Sequence, residues 1–112
     1  MSQKTKFKII LFETSRGEKP VESAILQQNA STKAKIARQI DLLEKHGYLL
    51  GMPHSKKLQQ DLYELRIRGK NELRILYTFR GNKIFLLHVF KKQSQRTPSK
   101  EIKTALSRID YI

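Results

Sequence analysis

Between Leu58 and Lys92 the chain reads LQQDLYELRIRGKNELRILYTFRGNKIFLLHVFKK, three runs rich in β-branched and aromatic residues cut by Gly69-Lys70-Asn71 and Gly81-Asn82. That punctuation predicts a three-stranded meander. Successive strand side chains point to opposite faces, so Tyr63, Leu65 and Ile67 share one face of the first run and Glu64, Arg66 and Arg68 the other. In the second run Leu73, Ile75, Tyr77 and Phe79 alternate with Arg74, Leu76, Thr78 and Arg80. One side of the expected sheet is apolar and the other carries several arginines.

Upstream, Phe7 to Phe12 has strand composition, with apolar residues on both faces, which predicts a strand covered on both sides. Arg16-Gly17 turns the chain, and Pro20 suits the first turn of a helix, where its missing N–H costs nothing. Val21, Ala24, Ile25 and Gln28 continue that helix to about Asn29. A longer helix follows, with Ser31 or Thr32 as cap, a stripe of Ile36, Ala37, Ile40 and Leu43, and Gly47 closing it. Residues 48–55 read as a loop. Beyond Lys92 a polar connector, Gln93 to Pro98, leads into a last helix over Ser99 to Ile112, striped by Ile102, Ala105, Leu106 and Ile109. The order strand, helix, helix, three-stranded meander, helix predicts an α+β fold, with two helices packed on one face of a small, mostly antiparallel sheet.

Composition narrows the class. The 112 residues make one domain, 1–112, with 38% hydrophobic and 29% charged residues, so a compact core sits under a heavily charged surface. The formal net charge is +13, and residues 56–112 carry 14 basic and 5 acidic side chains, a net of +9. Such an excess around and after the meander favours a polyanionic partner. There is no cysteine, which excludes disulfides and thiolate metal sites. The apolar run near the N-terminus ends at Glu13, too short for a signal segment or a membrane span, so a cytoplasmic protein with no membrane association is expected.

Candidate chemistry lies on the arginine side. Arg66, Arg68 and Arg74, joined by Lys56 and Lys57 before the meander and by Lys91 and Lys92 after it, form a cationic set able to hold phosphate oxygens and stabilise charge developing on them. The alternative is a set of solvated charges, some paired with Glu64 or Glu72. Of the histidines, His46 suits a helix C-terminus, His88 inside IFLLHVF reads as a hydrogen-bonded core residue, and His54 is the candidate acid or base. Their spacing suggests no metal site, and no phosphate-binding glycine loop, HExxH or GxSxG motif is present. Tyr63 and Tyr77 fall on the apolar face and read as core.

The segments Leu62-Tyr63-Glu64-Leu65-Arg66, Leu73-Arg74-Ile75-Leu76-Tyr77, His88-Val89-Phe90-Lys91-Lys92 and Thr97-Pro98, in this order of elements, resemble the RelE superfamily of bacterial toxins, in particular its phage-related HigB-like branch. The resemblance covers nearly the whole chain from Phe7. It implies a ribosome-dependent endoribonuclease that cuts mRNA in the decoding site, needs no metal or other cofactor, and is silenced by a cognate antitoxin, a HigA-like helix-turn-helix protein. By position, Arg74 matches the strand arginine that holds the scissile phosphate, Arg66 the basic residue on the neighbouring strand, Lys92 with Lys91 the basic pair ending the last strand, and Lys57 a basic residue entering the site. The sequence departs from the family where Gln93, Ser94 and Gln95 follow Lys92, since relatives place a tyrosine or histidine there as acid or base. Glu64 stands where some relatives carry lysine. Glu64, His54 and Tyr111, in that order, are the candidate proton acceptors. Two other readings stay open: a ParE-like toxin that poisons gyrase, and a non-catalytic nucleic-acid-binding module of phage origin.

Overall fold

Among the described residues five strands build the sheet: β1 (Lys8–Leu11), β2 (Ser55–Gln59), β3 (Leu62–Ile67), β4 (Leu73–Arg80) and β5 (Lys83–Lys91), side by side in the order β1-β5-β4-β3-β2. In this computed structural model, which describes residues 6–70 and 72–112, β1 pairs with β5 in parallel and every other neighbour is antiparallel. Three α-helices among the described residues complete the fold, α1 (Pro20–Leu26), α2 (Ala30–His46) and α3 (Ser99–Ile109). The expected α+β architecture is present. Asn71 of the first predicted turn and the first five residues lie outside the described part.

The meander has four strands rather than three. Ser55–Gln59, divided in the sequence reading between a loop and the start of the first run, pairs with β3 at the sheet edge. As an edge strand bearing Lys56 and Lys57, with Leu58 its one large apolar residue, it shows no apolar alternation to betray it. Helix α2 begins earlier than its predicted cap. Asn29 is the N-cap, its Oδ1 accepting from the Thr32 N–H at 2.8 Å. Ile36 and Leu43 are buried as expected, but Ala37 is exposed. Gly47 ends the helix at φ 50, and a Cβ there would run into the Phe7 ring. Helix α1 stops at Leu26, short of Asn29, and α3 stops at Ile109, short of Ile112.

Strand register fixes two packing layers. Leu65, Ile67, Ile75, Tyr77, Ile84 and Leu86 share the face under α1 and α2, where they meet Val21, Ile36 and Leu43. Each fully buried Leu or Ile here contributes about 1.5–3 kcal/mol. The Tyr77 hydroxyl is hydrogen-bonded to Ser55. The opposite face, expected as the arginine side, is apolar over half its length. Leu76, Phe85 and Phe90 lie on it, and α3 packs there through Ala105, Ile102 and Leu106.

A bulge in β5 shapes that second layer. Leu76 pairs with His88 while Tyr77 pairs with Leu86, leaving Leu87 as the extra residue. The freed Leu87 carbonyl accepts from Arg108 at 2.7 Å, and the Arg108 guanidinium lies 5.3 Å above the Phe12 ring. Burial pushes the Arg108 pKa down. His88, read from the sequence as a hydrogen-bonded core histidine, joins the docking: its Nε2 lies 2.6 Å from the Glu101 carboxylate of α3. Helix α3 is thus tied to the sheet by polar contacts at two heights as well as by its apolar stripe.

Candidate functional site

At the end of the sheet not covered by α3, register places Arg66 directly opposite Arg74 across the β3–β4 pair. Two facing like charges repel, so the arrangement requires anions nearby. Glu64, two residues before Arg66 and on the same face, puts Oε1 at 3.5 Å from Arg74 Nε and 3.9 Å from Arg66 Nε. Glu72, two before Arg74, lies 3.3 Å from Arg74 Nη1 and 3.5 Å from Lys92 Nζ. Three cations thus interleave with two carboxylates. Burial raises the Glu72 pKa, but the charges of Lys92 and Arg74 outweigh it and hold the carboxyl below its ordinary value.

The second Glu64 oxygen is taken by the connector, since Thr97 Oγ1 donates to Oε2 at 2.6 Å. This bond brings Gln93 to Pro98 over the sheet. Arg74 lies beneath that segment, only 5% exposed, and Glu64 is 4% exposed. Beside the covered part a cleft of about 770 Å³ stays open, walled by Lys56, Glu64 and Arg66 from the strands and by Ser94 to Ser99 and Ile102 opposite. Lys56 pairs with Glu64 across β2 and β3, so it stands on the same face. One donor in this wall is unsatisfied: Arg66 Nε is buried without a hydrogen-bond partner among the described residues.

Of the residues singled out in the sequence, Glu64, Arg66, Arg74, Lys92 and Lys56 come together here. Four do not. Lys57 pairs with Tyr63 on the other face, its Nζ 5.9 Å from that ring, because it follows Lys56 by one residue and the strand alternates. Lys91 pairs with Leu73 and faces away from the cluster for the same reason. Arg68 lies past the end of β3, and His54 precedes β2 with its Nδ1 3.3 Å from Gln39 of α2. These two line a separate groove at the α2 edge. Tyr111, the third candidate proton acceptor, lies near Phe12 and Arg108, away from the cleft.

Sequence reasoning left Glu72 out of the site and gave Thr97 no role. The first was within reach, because Glu72 shares alternation parity with Arg74. The second joins positions 33 apart, which no local pattern signals.

The fold and the cleft define a small α+β domain with an open cleft walled by Lys56, Glu64 and Arg66. The family model described as "Phage derived protein Gp49-like (DUF891)" matches residues 23–110, and the chain belongs to this phage-derived family. Among curated proteins none matches the chain. No helix among the described residues is long and apolar enough to cross a membrane.

Proposed function

We propose that this protein is the toxin of a type II toxin-antitoxin system, an endoribonuclease that cuts mRNA on the ribosome and so stops translation. Three things support the reading: the resemblance to RelE-type toxins, membership of a family associated with them, and a cationic cleft with its own carboxylate. The observation that carries it is the wall of the open cleft, where Arg66 and Lys56 stand beside Glu64 and present the cations that a phosphate would meet.

In this reading the roles shift from those implied by position. Arg66 and Lys56, which line the open cleft, take the scissile phosphate, and Arg74, covered by the connector, holds Glu64 in place. Glu64 accepts the ribose 2′-hydroxyl proton as that oxygen forms its bond to phosphorus. The bond from phosphorus to the 5′ oxygen then breaks, leaving a 2′,3′-cyclic phosphate, and the departing oxygen is protonated from Lys56. A cognate antitoxin of helix-turn-helix type that covers this face would block the cleft, and its acidic groups would speed association.

A second reading, a non-catalytic nucleic-acid-binding module, is favoured by one observation: both Glu64 oxygens are already engaged. Expression in growing cells separates the two. The toxin reading expects protein synthesis, followed by pulse labelling, to stop on induction and to continue with Arg66→Gln. Unimpaired labelling in cells making soluble wild-type protein would refute it. Relaxed or cleaved plasmid DNA with intact transcripts would point instead to a gyrase poison.

A further inference from the structure

His54, read from the sequence as the candidate acid or base, and Arg68, read as part of the phosphate-binding set, belong to a different place. They line a groove of about 250 Å³ between α2 and the end of β3, together with Lys35, Arg38, Gln39 and Pro53. No aspartate or glutamate lines it. Lys35, Arg38 and Arg68 are exposed, and none makes an ion pair among the described residues. This contrasts with the candidate active cleft, where the carboxylate of Glu64 stands among the cations and lies 3.9 Å from Arg66 Nε.

The groove is built on rigid parts. Lys35 and Arg38 stand one turn apart on α2. Gln39 between them and the sheet donates to the Arg66 carbonyl at 3.0 Å and contacts His54, closing the floor. Lys35 reaches across to the Gly69 backbone, where a Cβ would sit 2.7 Å from its Nζ. Like charges held this close repel one another, and among soluble partners only an anion relieves the repulsion. Arg66 borders both places, its carbonyl meeting Gln39 in this groove and its side chain standing beside Glu64 in the cleft. The groove and the cleft are therefore neighbours at the end of β3, on either side of Arg66.

We infer that the Lys35–Arg38–Arg68 groove is a second phosphate-binding site, which holds the RNA backbone flanking the position where the strand is cut. The inference rests on the proposed ribonuclease function for the identity of the strand. Its physical basis is separate: a groove lined by cations and by no carboxylate, next to the cleft across Arg66. An acidic protein segment would meet the same charges, and binding of polyglutamate tells the two apart.

The test is a fluorescence-anisotropy titration with a single-stranded 2′-O-methyl oligoribonucleotide, which lacks the attacking hydroxyl and cannot be cut. Wild type is compared with the Lys35→Gln/Arg38→Gln/Arg68→Gln triple variant over a range of salt. Three lost phosphate contacts at about 0.7 each should make the slope of log K against log salt shallower by about 2. Wild type would then lose about fifteen-fold more affinity than the variant between about 50 and about 200 mM salt. The single variant Arg38→Gln, at an exposed helix position, should show a third of the change and guards against misfolding of the triple. An unchanged slope in both variants overturns the inference. So does an unchanged slope accompanied by weakened binding of polyglutamate, which would assign the groove to an acidic protein. If the slope changes while wild type cuts no mRNA, the groove stands and the ribonuclease reading falls. If the slope is unchanged while mRNA is cut, the reverse holds.

Discussion

Removing Arg74 should cost stability before it costs chemistry. Its side chain is 6% exposed and that of Glu64 5%, so Arg74→Ala leaves a buried carboxylate with only the more distant Arg66 to face. Breaking a buried pair from one side costs about 3–5 kcal/mol. The lower end applies, because the 3.5 Å Nε contact to Glu64 is ionic without being a hydrogen bond and Thr97 still serves the second oxygen. For a domain of this size about 3 kcal/mol lowers Tm by about 12 °C. Glu64→Gln removes the charge that needs compensation, so Glu64→Gln/Arg74→Ala should be less destabilised than the sum of its single variants, by about 2 kcal/mol. Urea unfolding of the four proteins measures this directly. Additivity within about 0.5 kcal/mol would refute the claim that Arg74 acts by holding Glu64.

Three further outcomes follow from the same contacts. The Glu72 carboxyl is held below 4.5, so its ion pairs add stability that is present at neutral pH and lost as pH falls through the folded-state value; thermal melts of wild type should decline more steeply below pH 4.5 than those of Glu72→Gln. Burial pushes the Tyr77 hydroxyl from 10.0 up to about 12, so the folded state resists its ionisation and stability should fall as pH rises through that interval. Tyr77→Phe should flatten this alkaline decline, seen by circular dichroism, while costing about 1–3 kcal/mol at neutral pH through the unpaired Ser55 hydroxyl. Gly47→Ala should cost at least about 1–2 kcal/mol from its positive φ, and more because the new methyl displaces Phe7, readable as a lowered urea midpoint.

Period-two alternation was enough to predict β3 and β4 and to separate Tyr63, Leu65 and Ile67 from Glu64 and Arg66, since it follows from backbone geometry alone. The α2 stripe through Ile36 and Leu43 was visible for the equivalent reason at helical period. Strand β2 was hidden because an edge strand exposes both lysines and so carries no hydrophobic signature. The larger surprise, the covering of Arg74, depends on where Gln93 to Pro98 crosses the sheet and on the Thr97–Glu64 bond. Both are tertiary facts. A cationic pattern identifies residues that share a face, but it does not say which of them α3 and its connector leave open.

The central claim is that the Arg66–Glu64 cleft cuts RNA by 2′-hydroxyl attack, and the most direct measurement is on the ends it leaves. Purified protein should be incubated with ribosomes programmed with a defined mRNA, and the new termini mapped and chemically typed. Cuts that require the ribosome, carry a 2′,3′-cyclic phosphate and a 5′-hydroxyl, and fall at least about a hundred-fold with Arg66→Gln or Glu64→Gln are the predicted result. Intact mRNA, or cleavage that survives both substitutions in folded protein, would contradict it.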